Sequence, residues 1–204
     1  MKWAVLVGGT GSNLEAILSS GLDVRLVISH RAQVRALGVA AQHGVPTRVI
    51  VGRDYPDRAD YDASLRGQLE EFDIERVAMA GFLRWLQPET IRVYQGQILN
   101  LHPSLLPAYP GLHAIEQAFE ARVWWTGVTV HFVDEGHDTG PIVAQAPVPR
   151  MADDTLETLS DRIHRTEHAL YPKVLHAVDR GAVWLQDHVV TYAKEDDAWI
   201  HGHF

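Results

Sequence analysis

The segment Ile98-Leu99-Asn100-Leu101-His102-Pro103-Ser104-Leu105-Leu106-Pro107 sets two polar side chains into an apolar run. In an extended conformation Asn100 and His102 share a face, because side chains alternate along a strand. Pro103 ends that strand, since it cannot donate to a central ladder. Polar groups on a buried strand cost free energy unless they are paired or used. Hydrogen bonding to the following loop is one use, and chemistry is the other. A histidine exchanges protons near neutral pH, and an asparagine amide N–H can stabilise a developing oxyanion. Ser104 lies in no Gly-x-Ser-x-Gly turn, and the chain has no cysteine. The nucleophile is therefore expected to come from a substrate.

Two further segments could serve such chemistry. Asp134, Glu135 and Asp138 crowd the stretch Asp134-Glu135-Gly136-His137-Asp138-Thr139-Gly140. Loop acids are mostly solvated, but one beside His102 would favour its imidazolium form. Spacing does not choose among the three. Near the N-terminus, Gly8-Gly9-Thr10-Gly11-Ser12-Asn13 joins an expected strand to an expected helix. Free backbone N–H groups at a helix start suit a phosphate, and Ser12 or Asn13 is expected to cap that helix. No Gly-Lys-Ser/Thr follows, and Asn13-Leu14 replaces the third glycine of a dinucleotide fingerprint. An ordinary tight turn explains the same residues equally well.

The elements that must carry these residues follow from periodicity. Strands are expected at Trp3–Val7, 24–28, 47–51, Arg76–Ala80 and 97–101. Helices are expected at 13–19, 33–42, 58–72 and after Pro88, with Tyr61, Leu65, Leu69 and Phe72 on one helical face. Alternating strands and helices indicate an α/β fold, a Rossmann-like and mostly parallel sheet with helices on both faces. Ligands in such sheets bind beyond the carboxyl ends of the strands. The second half reads as antiparallel strands at 126–133 and 141–148. A long helix capped by Asp153 or Asp154 runs to about Asp179, and two short strands follow within 183–192. Residues 194–204, ending His201-Gly202-His203-Phe204, read as a tail.

Composition narrows the classes. The 204 residues, 46% of them hydrophobic, suffice for one substantial core. The lack of cysteine excludes disulfides and thiolate metal sites and fits a reducing cytoplasm. The sequence shows neither a secretory signal nor an apolar run of the roughly 20 residues that span a bilayer. A net charge of −8 without a dense Lys/Arg run argues against nucleic acid. Twelve histidines raise the question of metal. His164 and His168 stand one helical turn apart, but Arg165 occupies the position where a His-Glu-x-x-His site needs Glu. No metal is expected.

Taken together, several motifs resemble the phosphoribosylglycinamide formyltransferases of purine (IMP) synthesis. They are Gly11-Ser12-Asn13-Leu14, Ala80-Gly81-Phe82-Leu83-Arg84-Trp85-Leu86, and Asn100-Leu101-His102-Pro103-Ser104-Leu105-Leu106-Pro107 with Tyr109-Pro110-Gly111-Leu112-His113. Val128-Thr129-Val130-His131-Phe132-Val133-Asp134-Glu135-Gly136 and Asp138-Thr139-Gly140-Pro141-Ile142 complete the set. The resemblance implies 10-formyltetrahydrofolate as co-substrate and phosphoribosylglycinamide as acceptor, whose amine attacks the formyl carbon. It implies Asn100, His102 and Asp138 as catalytic residues, with Asn100 on the formyl oxygen and Asp138 favouring the His102 imidazolium and helping to move the proton. It implies acceptor contacts from Gly11, Ser12, Asn13 and Glu167, and folate contacts from Arg58, Leu83, Arg84, Trp85, Leu86 and Asn100. Residues 1–193 would form a single formyltransferase domain. Its phosphate-binding Rossmann-like half would be 1–101 and its folate and catalytic half 102–193. Small-molecule substrates, a cytoplasmic location and a monomer or homodimer complete the expectation.

The sequence departs from the pattern at Thr10, where some members have Asn, and at His164, on the acceptor side of the long helix, where other members carry a basic residue. Trp124-Trp125 is expected to serve packing or an interface, with packing favoured. Formyltetrahydrofolate hydrolase shares the folate half and the Asn/His/Asp set but uses water. It also has an N-terminal regulatory domain, whereas this chain starts at its first strand, and the Gly-Ser-Asn loop favours a phosphorylated acceptor. Methionyl-tRNA formyltransferase needs a C-terminal tRNA-binding domain beyond the length of this chain. A non-catalytic nucleotide- or folate-binding module would not need an acid–base pair.

Overall fold

The structure, a computed structural model, describes residues 1–193, so the tail assigned to 194–204 lies outside the described residues. The chain divides into two compact units, Met1–Asn100 and a second that begins at Leu101.

The first unit holds β1 (Trp3–Val7), α1 (Ser12–Ser19), β2 (Val24–Ser29), α2 (Arg35–Gln42) and β3 (Thr47–Val49). A single 3-10 turn (Gly52–Asp54), α3 (Arg58–Glu71), β4 (Arg76–Ala80), α4 (Pro88–Val93) and the start of β5 (Ile98–His102) follow. The strands run parallel in the order β3-β2-β1-β4-β5. All five residues of β1 are fully buried, as a central strand covered on both faces requires. The order reverses between β1 and β4, which makes their carboxyl ends the switch point of the sheet. Helix α1 packs on α2 and α3 on α4, the pairing that right-handed crossovers on either side of a switch point produce. Tyr61, Leu65 and Leu69 form the buried stripe of α3. Strand β3 is three residues long, shorter than expected, because the chain turns at Gly52 into the 3-10 helix.

The second unit contains α5 (Ala114–Glu120), β6 (Trp125–Phe132), β7 (Ile142–Pro149), α6 (Leu156–Asp179), β8 (Val183–Gln186) and β9 (Val189–Tyr192). Strands β6 and β7 form the expected antiparallel hairpin, and β8 pairs with β9. Helix α6 packs on β6, β7 and α5 through Leu159, Ile163, Leu170, Val174, Leu175 and Val178, a spacing that lines one helical face. The fold is thus of the expected class.

Several local expectations are corrected. No side chain caps α1, because Gly11 takes the N-cap position at φ 82°, ψ 17°, a left-handed conformation that glycine adopts without a Cβ penalty. Helix α6 is capped by Thr155 in a reciprocal capping box with Thr158 rather than by Asp153 or Asp154. Asp154 is engaged instead by Met151 N–H, Thr158 and Arg162. Helix α5 was not expected. Its seven residues are too few for a clear period, and its N-cap, His113, has φ 62° rather than a recognisable cap geometry. Trp124 and Trp125 are 68% and 60% exposed, so they do not pack as expected. They stand where β6 begins and their rings face solvent.

Gly11 illustrates how tightly the first turn is specified. A Cβ there would lie 2.7 Å from the Ala36 Cα at the start of α2, besides requiring a left-handed residue. Gly11→Ala is expected to lower stability by about 1–3 kcal/mol, measured by urea denaturation. An unchanged midpoint would show that the turn relaxes freely.

Candidate active site

Strand β5 carries both residues of the Asn-x-His motif at its carboxyl end. Asn100 pairs in register with Met79, one residue before β4 ends, and His102 is the last residue of the strand. The His102 side chain is only 6% exposed. Its Nε2 lies 2.8 Å from the Tyr109 carbonyl oxygen. A carbonyl only accepts, so Nε2 carries a proton and donates it. On the other side of the ring, Nδ1 lies 3.4 Å from Asp138 Oδ2.

Asp138 is the acid of the 134–140 loop that reaches a histidine. Asp134 shapes the loop itself, accepting from Gly136 N–H at 3.0 Å and from the Thr139 hydroxyl at 2.9 Å. Glu135 is exposed. Gly140 brings the returning strand close: a Cβ on it would strike the Phe132 carbonyl. The backbone of Asp138 is left-handed at φ 54°, a conformation that Asp tolerates better than most residues.

The Asp138 carboxylate serves a second imidazole that sequence reasoning missed. His131, 2% exposed, points Nε2 at Asp138 Oδ1 at 3.7 Å and Nδ1 at the Phe132 carbonyl at 2.9 Å. Each ring thus lies between a carbonyl and one shared carboxylate, both of which only accept. Gly111 N–H adds a 2.8 Å hydrogen bond to Asp138 Oδ2. Burial pushes the Asp138 carboxyl up, but the His131 hydrogen bond, the Gly111 N–H and the positive charge of both histidines outweigh it. The net position is below the ordinary carboxylate range. The signal for His131 was present in the sequence as a polar residue in the apolar run 126–133. The register shift between Val130 and His131 is what re-aims it.

The loop after His102 is held by Thr129, another unforeseen residue. Its buried hydroxyl donates to Ser104 O at 2.7 Å and accepts from Leu106 N–H at 3.1 Å and from Gln145 Nε2 at 2.9 Å. On α6, Glu167 is 4% exposed. It accepts from His164 Nδ1 at 3.0 Å, a hydrogen bond that raises the His164 pKa. Among the described residues, no group of three or more His, Asp or Glu is arranged to hold a metal ion.

The first unit supplies the remaining expected residues, those of the loops after β1 and β4 and Arg58 at the start of α3. Gly11, Ser12 and Asn13 open α1, and their backbone N–H groups lie at its positive end. Beneath this loop is His30, 8% exposed, with Nδ1 3.1 Å from the Val7 carbonyl and its ring edge-on to Phe82. A Cβ on Gly8 would collide with that ring. Burial lowers the His30 pKa, so it serves as a neutral donor under the turn. In the 81–87 loop Leu86 is buried, Arg84 half-buried, and Leu83 and Trp85 exposed. Arg58 heads α3 with an exposed side chain.

The sequence model of the formyl transferase family matches residues 1–175. The chain belongs to the formyl transferase family. Among individual relatives, the phosphoribosylglycinamide formyltransferase of Bacillus subtilis is 39% identical over 85% of this chain and 92% of its own length. The trifunctional purine biosynthetic protein adenosine-3 of Drosophila melanogaster is 43% identical over 91% of this chain, which spans only 14% of that protein. The solved glycinamide ribonucleotide transformylase 1 of Symbiobacterium toebii superimposes with a TM-score of 0.91 at 38% identity, over 95% of this chain and 94% of that one.

Thr129→Val removes the hydroxyl but keeps the shape. It leaves Leu106 N–H without its acceptor, which should cost roughly 1–3 kcal/mol in a denaturant melt. Equal stability of variant and parent would deny Thr129 this role.

Proposed function

We propose that this chain transfers the formyl group of 10-formyltetrahydrofolate to the amine of phosphoribosylglycinamide, in purine (IMP) biosynthesis. Family membership supports the reaction class. The observation that carries the chemistry is the His102 ring set between the Tyr109 carbonyl and the Asp138 carboxylate.

In this reading the acceptor amine attacks the formyl carbon, forming a C–N bond and placing the carbonyl electron pair on oxygen. The Asn100 amide donates to that oxygen. The developing oxyanion is a stronger acceptor than a peptide carbonyl, so it draws the Nε2 proton of His102 away from Tyr109. Asp138 balances the positive charge of His102 throughout. The tetrahedral intermediate collapses by breaking the bond to the folate nitrogen, and the proton lost by the amine passes through water beside Asp138 to that nitrogen. The acceptor's phosphate is bound by Gly11, Ser12 and Asn13 and its glycinamide end by Glu167. Arg58, Leu83, Arg84, Trp85 and Leu86, with Asn100, bind the folate. Residues 1–193 act as one formyltransferase domain, as a cytoplasmic monomer or homodimer, a location that the lack of cysteine fits.

Tetrahydrofolate release followed with and without phosphoribosylglycinamide tests this. Release that requires the acceptor and matches formylated product one for one is the expected result. Release at the same rate without acceptor would replace transfer by hydrolysis.

A further inference from the structure

His30, unlike His102 and His131, is a buried histidine whose partners are a carbonyl and an aromatic ring rather than a carboxylate. It directly follows β2, and its ring lies under the turn that leaves β1. Two donors of this one residue converge on the carbonyl of Val7, the last residue of β1. The ring Nδ1 lies 3.1 Å from that oxygen and the backbone N–H donates at 3.4 Å. A carbonyl only accepts, so Nδ1 carries the proton. The edge of the ring takes the space a Cβ on Gly8 would need. Phe82 backs the ring edge-on, with centroids 5.0 Å apart. The start of α2 grips the same turn twice more. Ala36 N–H donates to the Gly9 carbonyl at 3.3 Å, and the Ala36 Cα closes against Gly11. The turn is thus held from the β2–α2 side at Val7, Gly8, Gly9 and Gly11.

A phosphate held at a helix start takes its hydrogen bonds from backbone N–H groups that must converge on one point. No side chain steers such donors, so the turn leading into them sets their aim. Glycines at 8, 9 and 11 leave this turn wide conformational freedom of its own. The grip from the β2–α2 side removes that freedom, and within it only His30 supplies a side-chain hydrogen bond. Burial lowers the His30 pKa, the Val7 hydrogen bond opposes this, and the charges of Arg31 and Arg84 lower it further. The ring is therefore neutral and has a single N–H, which Val7 takes. No donor remains for a phosphate, so His30 acts through the turn. We propose that His30 is a positioning residue that fixes the turn after β1 through its bond to Val7, so that the N–H groups of Gly11, Ser12 and Asn13 meet the acceptor's phosphate. This rests on the reaction proposed above.

Two substitutions separate the hydrogen bond from the packing. His30→Asn can place an amide N–H where Nδ1 stands but loses most of the ring. His30→Leu keeps more apolar volume under Gly8 and against Phe82 but has no donor. In His30→Leu the KM for phosphoribosylglycinamide should rise roughly 2- to 12-fold, what one hydrogen bond is worth. His30→Asn should stay within about twofold of the parent. Both variants should keep kcat and the folate KM within about twofold. With ribosylglycinamide, which lacks the phosphate, all three proteins should share one kcat/KM. A purely structural role predicts the reverse order, because Asn fills the space less well than Leu. An unchanged acceptor KM in His30→Leu, a His30→Asn at least as impaired as His30→Leu, or an equal loss with ribosylglycinamide would each overturn the proposal. Calorimetric binding of phosphoribosylglycinamide to the same three proteins gives the comparison without turnover. A parent that binds this acceptor with the expected dependence on His30, yet forms no product, would refute the reaction and support the positioning role.

Discussion

One buried carboxylate organises the second unit. Taking Asp138 out of water costs several kcal/mol if it stays unpaired. That cost is offset by two imidazoles and a backbone N–H that converge on its two oxygens. Each imidazole is in turn fixed by a group that only accepts, the Tyr109 carbonyl for His102 and the Phe132 carbonyl for His131. Both rings are thereby held from two sides. The rest of the region follows from keeping this cluster assembled. Asp134 and Thr139 tie the turn that presents Asp138, Gly140 lets the strand return past Phe132, and Thr129 fastens the loop that brings back Tyr109.

In the first unit, glycines shape the loops after β1 and β4. The turn after β1 needs Gly11 for its left-handed step and Gly8 to admit the His30 ring. The loop after β4 needs Gly52 opposite Arg84 and the Tyr61 face beneath it. In both cases a glycine on one element makes room for a large side chain of another. A Cβ at such a position is felt at the loop rather than at its own residue.

Much of this was legible in the sequence, and the limits have physical reasons. The strands were readable because β1, β2, β4 and β5 are buried and nearly wholly apolar. The Asn-x-His pair stood out against that background. Asp138 could not be separated from Asp134 and Glu135 by spacing, because the choice depends on a left-handed residue and a hairpin register that only the folded backbone defines. His131 was hidden by its place inside a strand that otherwise reads as core. The missed caps share one cause. Ser12, Asn13, Asp153 and Asp154 are all good capping residues, but Gly11 starts α1 one residue earlier and Thr155 starts α6 one residue later. Trp124 and Trp125 are apolar in type and exposed in fact, which no period reveals.

The central claim is that the Asp138 charge, rather than the shape of its side chain, sustains catalysis by His102. Asp138→Asn preserves that shape and removes the charge. Steady-state kinetics of this variant over a range of pH test the claim most directly. The account predicts a fall in kcat of roughly 100-fold or more, an altered pH–rate profile and little change in either KM. A variant with the parent's kcat and profile would contradict it.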